Sequence, residues 1–276
     1  MTDTQLPDED FVQEAVKITE RAQTANVPLR AMGACAIRIH CPNHVKLHGL
    51  AMHRRITDLD LVTLRRYQSS LKHIVKQDGY FSDVTMLGMG RDIYRNPEKG
   101  IVMDVFFDRL EMCHTIELGN RLEMDFPTIS LADLILEKLQ VVNINEKDIK
   151  DVMVLVLEHE VGQGSRDRID TEYIAKLLAD DWGFYYTVTN NLKKTRNMAG
   201  IEYRDMLLQE EIDTIDSRVE SVLARLDEEP KSMKWKMRER VGTKRRWYRE
   251  VEEVATGPLT EYLMKKYQTG ETGEAC

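Results

Sequence analysis

Phe11, Val12, Ala15, Val16, Ile18 and Ala22 recur at the spacing of one helix face inside a charged run, which predicts an amphipathic helix that ends near Pro28. The next stretch, LRAMGACAIRIHCP, is apolar around a central glycine. It predicts a buried strand that turns into a short helix, which Pro42 ends. In ITDLDLVTL carboxylates alternate with aliphatic residues at period two, so a strand here sets Asp58 and Asp60 on one face and Leu59 and Leu61 on the other. A helix over 67–75 closes at Asp78-Gly79. The segments VTMLGMG, GIVMDVFFD and HTIELGNRLEM then read as successive strands of an antiparallel meander, with RNPEKG as a turn between two of them.

From Ser130 the period changes. SLADLILEKLQ has a serine placed as N-cap, and EKDIKDVMVLVLEH carries apolar residues at spacings of three and four. Ile212, Ile215, Val219, Val222 and Leu226 form a further helical stripe, and Pro230 separates that helix from another. The pattern predicts an α+β fold: a mixed sheet with flanking helices over 1–160, a helical region over 161–267, and a disordered tail over 268–276, where QTGETGEAC has nothing apolar to anchor it.

Composition narrows the setting more than the chemistry. With 42% hydrophobic and 31% charged residues among 276, the chain has the balance of a globular protein and the length to bury a core. A net charge of −8 argues against nucleic-acid binding by the whole surface and leaves room for a local basic patch. The apolar run 152–157 is far too short to cross a bilayer, and the acidic start MTDTQLPDED lacks the features of a signal peptide, so a cytoplasmic location with no membrane partner is expected. Four cysteines without a regular framework are expected as free thiols.

The candidate chemistry lies in the carboxylates. Asp58 and Asp60 present adjacent oxygens from one strand, a donor set for a hard divalent cation beside phosphates. Asp104 stands in the middle of the apolar IVMDVFFD strand, where an unpaired charge costs several kcal/mol and calls for a partner. Two-metal phosphoryl chemistry uses such a layout. The alternative reading pairs Asp58 and Asp60 with Arg54 and Arg55 as surface ion pairs.

Taken in order, MGACAIR, RRITDLDLV and IVMDVFFD resemble the nucleotidyltransferase superfamily with its polymerase-beta-like fold. The resemblance spans about 29–159. Within it, ITDLDL followed by SLADLILEKLQ and EKDIKD is most similar to the AbiEii-type branch. The resemblance implies metal ligation and catalysis by Asp58, Asp60 and Asp104, with magnesium or manganese as the ion. It implies a nucleotide site at Gly33 and Ala34, with Arg54, Arg55 and Thr57 nearby, Lys138 reaching the triphosphate, and Asp148 or Asp151 as a later acid. Ala34 stands where the superfamily commonly has glycine or serine, so contact there is through backbone amides alone. The implied reaction moves a nucleoside monophosphate from a nucleoside triphosphate to a hydroxyl of an RNA or protein acceptor, in a toxin-like role that would bring an antitoxin partner. Two alternatives stand beside it: adenylylation of a small antibiotic-like molecule, and a regulatory protein that binds nucleotide without turnover.

Two other features compete for function. Cys35, His40, Cys41, His44, His48 and His53 crowd one segment, but without a C-x-x-C pair a loop of unliganded histidines is favoured over structural zinc. Residues 231–249 hold nine basic residues and one acid, interleaved with Trp235, Trp247 and Tyr248. Lys244, Arg245 and Arg246 are the acceptor-binding candidates in an RNA-gripping reading. The favoured reading is a helix that packs Met233, Met237, Val241, Tyr248 and Val251 inward. Asp180 and Asp181 precede the aromatic cluster of Trp182, Phe184 and Tyr185, which is expected in the core.

Overall fold

A computed structural model describes residues 6–82, 90–164 and 166–251. Helix α1 (Asp8–Thr24) buries Phe11, Ala15, Ile18 and Ala22, the expected face. Strand β1 (Arg30–Met32) runs directly into α2 (Gly33–His40), as the glycine-centred apolar stretch predicts. Pro42–His44 then form a 3-10 turn and Leu47–Ala51 a single π turn, so the histidine-rich segment is wound rather than open. Strand β2 (Leu59–Thr63), helix α3 (Gln68–Gln77) and strands β3 (Phe81–Ser82), β4 (Arg91–Asn96) and β5 (Ile101–Phe107) complete the first half.

These strands form one mixed sheet in the order β1-β2-β5-β4-β3. Among its described strands only the β2–β5 pair is parallel, with Asp60 directly across from Asp104. The meander is therefore only partly realised. Strand β4 overlaps the predicted turn at Arg95 and Asn96, and it buries polar Asp92, Tyr94 and Asn96 as well as Ile93; the polar three bond to Gln68, to each other and to the Asp78 carbonyl. The strand expected over VTMLGMG lies outside the described residues except for Gly90. HTIELGNRLEM is a strand only over β7 (Thr115–Glu117), which pairs with β6 (Arg109–Glu111) as a separate ribbon, and Gly119 and Asn120 then open turns.

Ser130 caps α4 (Leu131–Leu139) by accepting from the Asp133 amide, and Asn145 caps α5 (Glu146–Glu158) through the Asp148 amide. Strands β8 (Glu160–Gly162) and β9 (Arg168–Asp170) form a short parallel pair. Helices α6 (Thr171–Leu178), α7 (Trp182–Ile201), α8 (Gln209–Glu228) and α9 (Met233–Val241) make up the helical region. Ile215, Val219, Val222 and Leu226 of α8 are buried in the same hydrophobic cluster as the sheet and α5. No helix among the described residues is long and apolar enough to cross a membrane. The tail 268–276 lies outside the described residues.

Helix α9 departs from expectation. Met233 and Met237 are exposed, at 71% and 59%, and Trp235 is buried instead, packed edge-on against Tyr185. The Ser232 cap and the large indole set the helical phase, leaving the methionines outward.

Candidate active site

The acids reach one place because of strand register. In β5 the buried residues Ile101, Met103, Val105 and Phe107 alternate with Val102, Asp104 and Phe106, which face the more open side. Pairing Asp60 with Asp104 puts both carboxylates on that side, with Asp58 in the bend just before β2, while Leu59 and Leu61 are fully buried on the other. Asp58 is exposed and accepts from the Thr57 hydroxyl at 3.1 Å. Asp104 accepts from Arg91 Nη1 at 2.8 Å.

Gly33 closes the other flank. It starts α2 with φ +65°, and a Cβ there would lie 2.3 Å from Asp60 Oδ2. Only glycine allows this backbone so near the acid. Ala34 follows within the first turn and is buried. The Gly33 N–H donates to Glu137 Oε2 at 3.0 Å, and Glu137 Oε1 is 2.9 Å from Lys138 Nζ.

Burial pushes the Asp60 carboxyl well above the ordinary range, and Asp58, Glu137 and Asp104 push it further against the pull of Lys138. Burial also raises Asp104, opposed by Arg91. Among the described residues no three His, Cys, Asp or Glu side chains converge closely enough to hold a metal ion as they stand. In donor type and strand placement the three aspartates nevertheless fit a divalent cation: all offer oxygen, Asp60 and Asp104 share one sheet face with Asp58 in the bend just before it, and Asp104 already holds a cationic stand-in, the Arg91 guanidinium.

The other candidate nucleotide residues form a second, deeper cluster. Asp151 is fully buried and accepts from Arg54 Nε at 2.9 Å, Arg54 Nη2 at 3.1 Å and His48 Nε2 at 2.8 Å. Lys138 Nζ lies 3.5 Å from Asp151 and 3.8 Å from Asp148. Burial alone would lower the Lys138 ammonium, but Glu137, Asp151, Asp148 and Asp60 together raise it. Arg54 thus pairs with Asp151, and Arg55 with Asp8, instead of with Asp58 and Asp60.

The cysteine and histidine segment disperses among separate partners: His40 to Thr128, His44 to Glu158, His48 to Asp151, with Cys35 and Cys41 buried. Asp181 caps α7 and Asp180 lies 3.6 Å from Lys234. Trp182 and Phe184 are in the core, and Lys244, Arg245 and Arg246 are exposed. Glu137 and Arg91 were not identified from the sequence, and His48 was read there only as part of the cysteine and histidine segment. Glu137 adjoins Lys138 in a mostly apolar helix, which was the one available signal.

No known family profile matches the chain, and no curated protein matches it. Among solved structures it is similar to the antibiotic-resistance factor ANT(2″)-Ia in solution, at 14% identity and TM-score 0.36, covering 80% of this chain and 97% of that one. A crystal structure of ANT(2″)-Ia in complex with adenylyl-2″-tobramycin gives 18% identity and TM-score 0.34, covering 52% and 86%. An antigenic nucleotidyltransferase-like protein from Paracoccidioides brasiliensis gives 14% and 0.40, covering 71% and 93%. The functional reading rests on the geometry of the site.

Proposed function

We propose that this chain is a metal-dependent nucleotidyltransferase that moves a nucleoside monophosphate from a nucleoside triphosphate to an acceptor hydroxyl. The observation that carries the reading is the register that sets Asp60 across from Asp104, with Asp58 just before the strand close enough to act on both and the Gly33 start of α2 against Asp60. This is the arrangement implied by the sequence resemblance to the nucleotidyltransferase superfamily and its AbiEii-type branch.

Asp58, Asp60 and Asp104 would hold magnesium or manganese, which when bound neutralises phosphate charge and acidifies the attacking hydroxyl. The residues of the chain supply placement. The amides at Gly33 and Ala34 would take the triphosphate oxygens, and the Thr57 hydroxyl donates to the Asp58 carboxylate. The acceptor oxygen forms a bond to the α-phosphorus as the bond from that phosphorus to the pyrophosphate oxygen breaks. Asp104, whose carboxyl burial makes more basic, takes the hydroxyl proton. Lys138 offsets charge from within the site rather than from its rim. Lys244, Arg245 and Arg246 offer exposed cations to an RNA acceptor, and their replacement by glutamate would lower transfer without unfolding the chain. A small-molecule acceptor is the alternative that dispenses with them. An antitoxin partner belongs to the toxin-like form of the reading.

One observation favours a second reading, nucleotide binding without turnover: Ala34 supplies no hydroxyl, and the Gly33 amide is already engaged by Glu137. Incubation with magnesium and each labelled triphosphate, with and without transfer RNA, separates the two. Label transfer with pyrophosphate release supports the enzyme. Binding with no release under any condition supports the regulatory protein.

A further inference from the structure

The carboxylate of Glu137 is held like a bound anion. One oxygen accepts from the Gly33 backbone N–H at 3.0 Å and the other lies 2.9 Å from the Lys138 ammonium. Glu137 and Lys138 are only 8% and 7% exposed, so both ends of this contact are shielded from water, where a charge-assisted bond is strong. A backbone N–H at a glycine-started helix and a lysine ammonium are also donors that take a phosphate oxygen. Four carboxylates, those of Glu137, Asp148, Asp151 and Asp60, surround the one ammonium. Asp151 has its own buried partners in Arg54 and His48, and Asp148 is the more distant at 3.8 Å. Glu137 is thus the acid that both faces Asp60 and occupies the donors.

We propose that Glu137 is a built-in competing anion, holding the Gly33 amide and the Lys138 ammonium until a phosphate of the incoming triphosphate displaces it. The proposal rests on the nucleotidyltransferase reading and adds to it the residue that limits triphosphate affinity. Glutamine at 137 keeps the shape and an acceptor oxygen for the amide but removes the charge that competes with phosphate. Glu137→Gln is therefore a gain-of-binding variant, an outcome that a purely structural role for Glu137 does not produce.

The test is calorimetric titration of the full chain, in magnesium, with a nucleoside triphosphate, with inorganic pyrophosphate and with the bare nucleoside. The E137Q protein is expected to bind the triphosphate and pyrophosphate about tenfold more tightly than the unaltered protein, corresponding to about 1.4 kcal/mol. The bare nucleoside is expected to gain nothing. Equal or weaker binding of both phosphate ligands by folded E137Q overturns the displacement while leaving the nucleotidyltransferase reading in place. Failure of both proteins to bind either phosphate ligand overturns the reading and the proposal together. A gain shared by the bare nucleoside contradicts the phosphate-specific account. If E137Q is unfolded by circular dichroism, Glu137→Asp supplies the readout: shortening the side chain loosens the contact, and tighter phosphate binding is again expected.

Discussion

Asp60 and Asp151 both sit within the field of Lys138, one on a strand and one on a helix, yet their surroundings are opposite. Asp151 is buried among donors: two guanidinium nitrogens of Arg54, one imidazole nitrogen of His48, and the ammonium of Lys138 beyond. Burial would raise its carboxyl, but Lys138, His48 and Arg54 bring it far below the ordinary range. Asp60 has burial and three acids against it and only Lys138 for it. A buried acid whose charge is matched by the chain holds the fold together. One whose charge is left unmatched is held by the fold for something that arrives later.

That contrast sets the largest expected effect. Asp151→Ala leaves Arg54 and Lys138 without their central anion, and should destabilise the protein by about 3–5 kcal/mol in denaturant unfolding. Asp60→Asn should act in the opposite direction. A carboxyl raised in the folded state binds more protons there than in the unfolded chain, so its ionisation lowers stability as pH rises through the window between the two values. Removing it should raise the unfolding midpoint at neutral pH while abolishing transfer. A destabilised D60N, or an unaffected D151A, would erase the distinction.

The same contrast explains what the sequence made legible. Alternation at period two in ITDLDL and IVMDVFFD pointed Asp58, Asp60 and Asp104 to one face, because successive side chains of a strand take opposite sides and the aliphatic parity is the one that buries. The helices over 130–159 were legible through Ser130 and their apolar spacing, while the Asn145 cap is seen only in the structure. Arg54 turning inward to Asp151 was not, since the two lie 97 residues apart and nothing in RRITD separates an inward arginine from an outward one. Strand β4 was hidden because it buries Asp92, Tyr94 and Asn96, polar groups satisfied by Gln68, by the Asp78 carbonyl and by each other. Glu137 was read past because a charged pair in a helix is usually solvated. Only the tertiary fold brings Gly33 to it.

Smaller effects sharpen the comparison away from the two acids. His114 is stacked on Phe184 at 4.7 Å and bonded to Thr187 at 2.9 Å, and burial lowers its pKa to about 4 despite Asp181. In the unfolded chain it takes a proton near pH 6.5. Its contribution is therefore complete above that pH and is lost as pH falls toward 4, by roughly 3 kcal/mol at most. Unfolding measured at pH 7 and pH 4.5 should show this loss, and His114→Gln should remove the part of it that His114 contributes, leaving the parts due to His40 and His48, which burial also lowers. Gly33→Ala meets Asp60 Oδ2 and forces alanine to φ +65°, which should cost about 2 kcal/mol and disturb the site together with the fold. Ser130→Ala removes the α4 cap and the hydroxyl's bonds to Asp133 and Arg121, and should cost about 1–2 kcal/mol with transfer retained.

The central claim is that the strand acids are a reaction centre rather than part of the framework. The most direct measurement is magnesium-dependent pyrophosphate release from labelled triphosphates by the unaltered protein and by Asp58→Ala and Asp60→Ala, with thermal unfolding recorded on the same samples. The expected result is release by the unaltered protein and none by either variant, with all three equally folded. Release that persists in the folded variants would contradict the account.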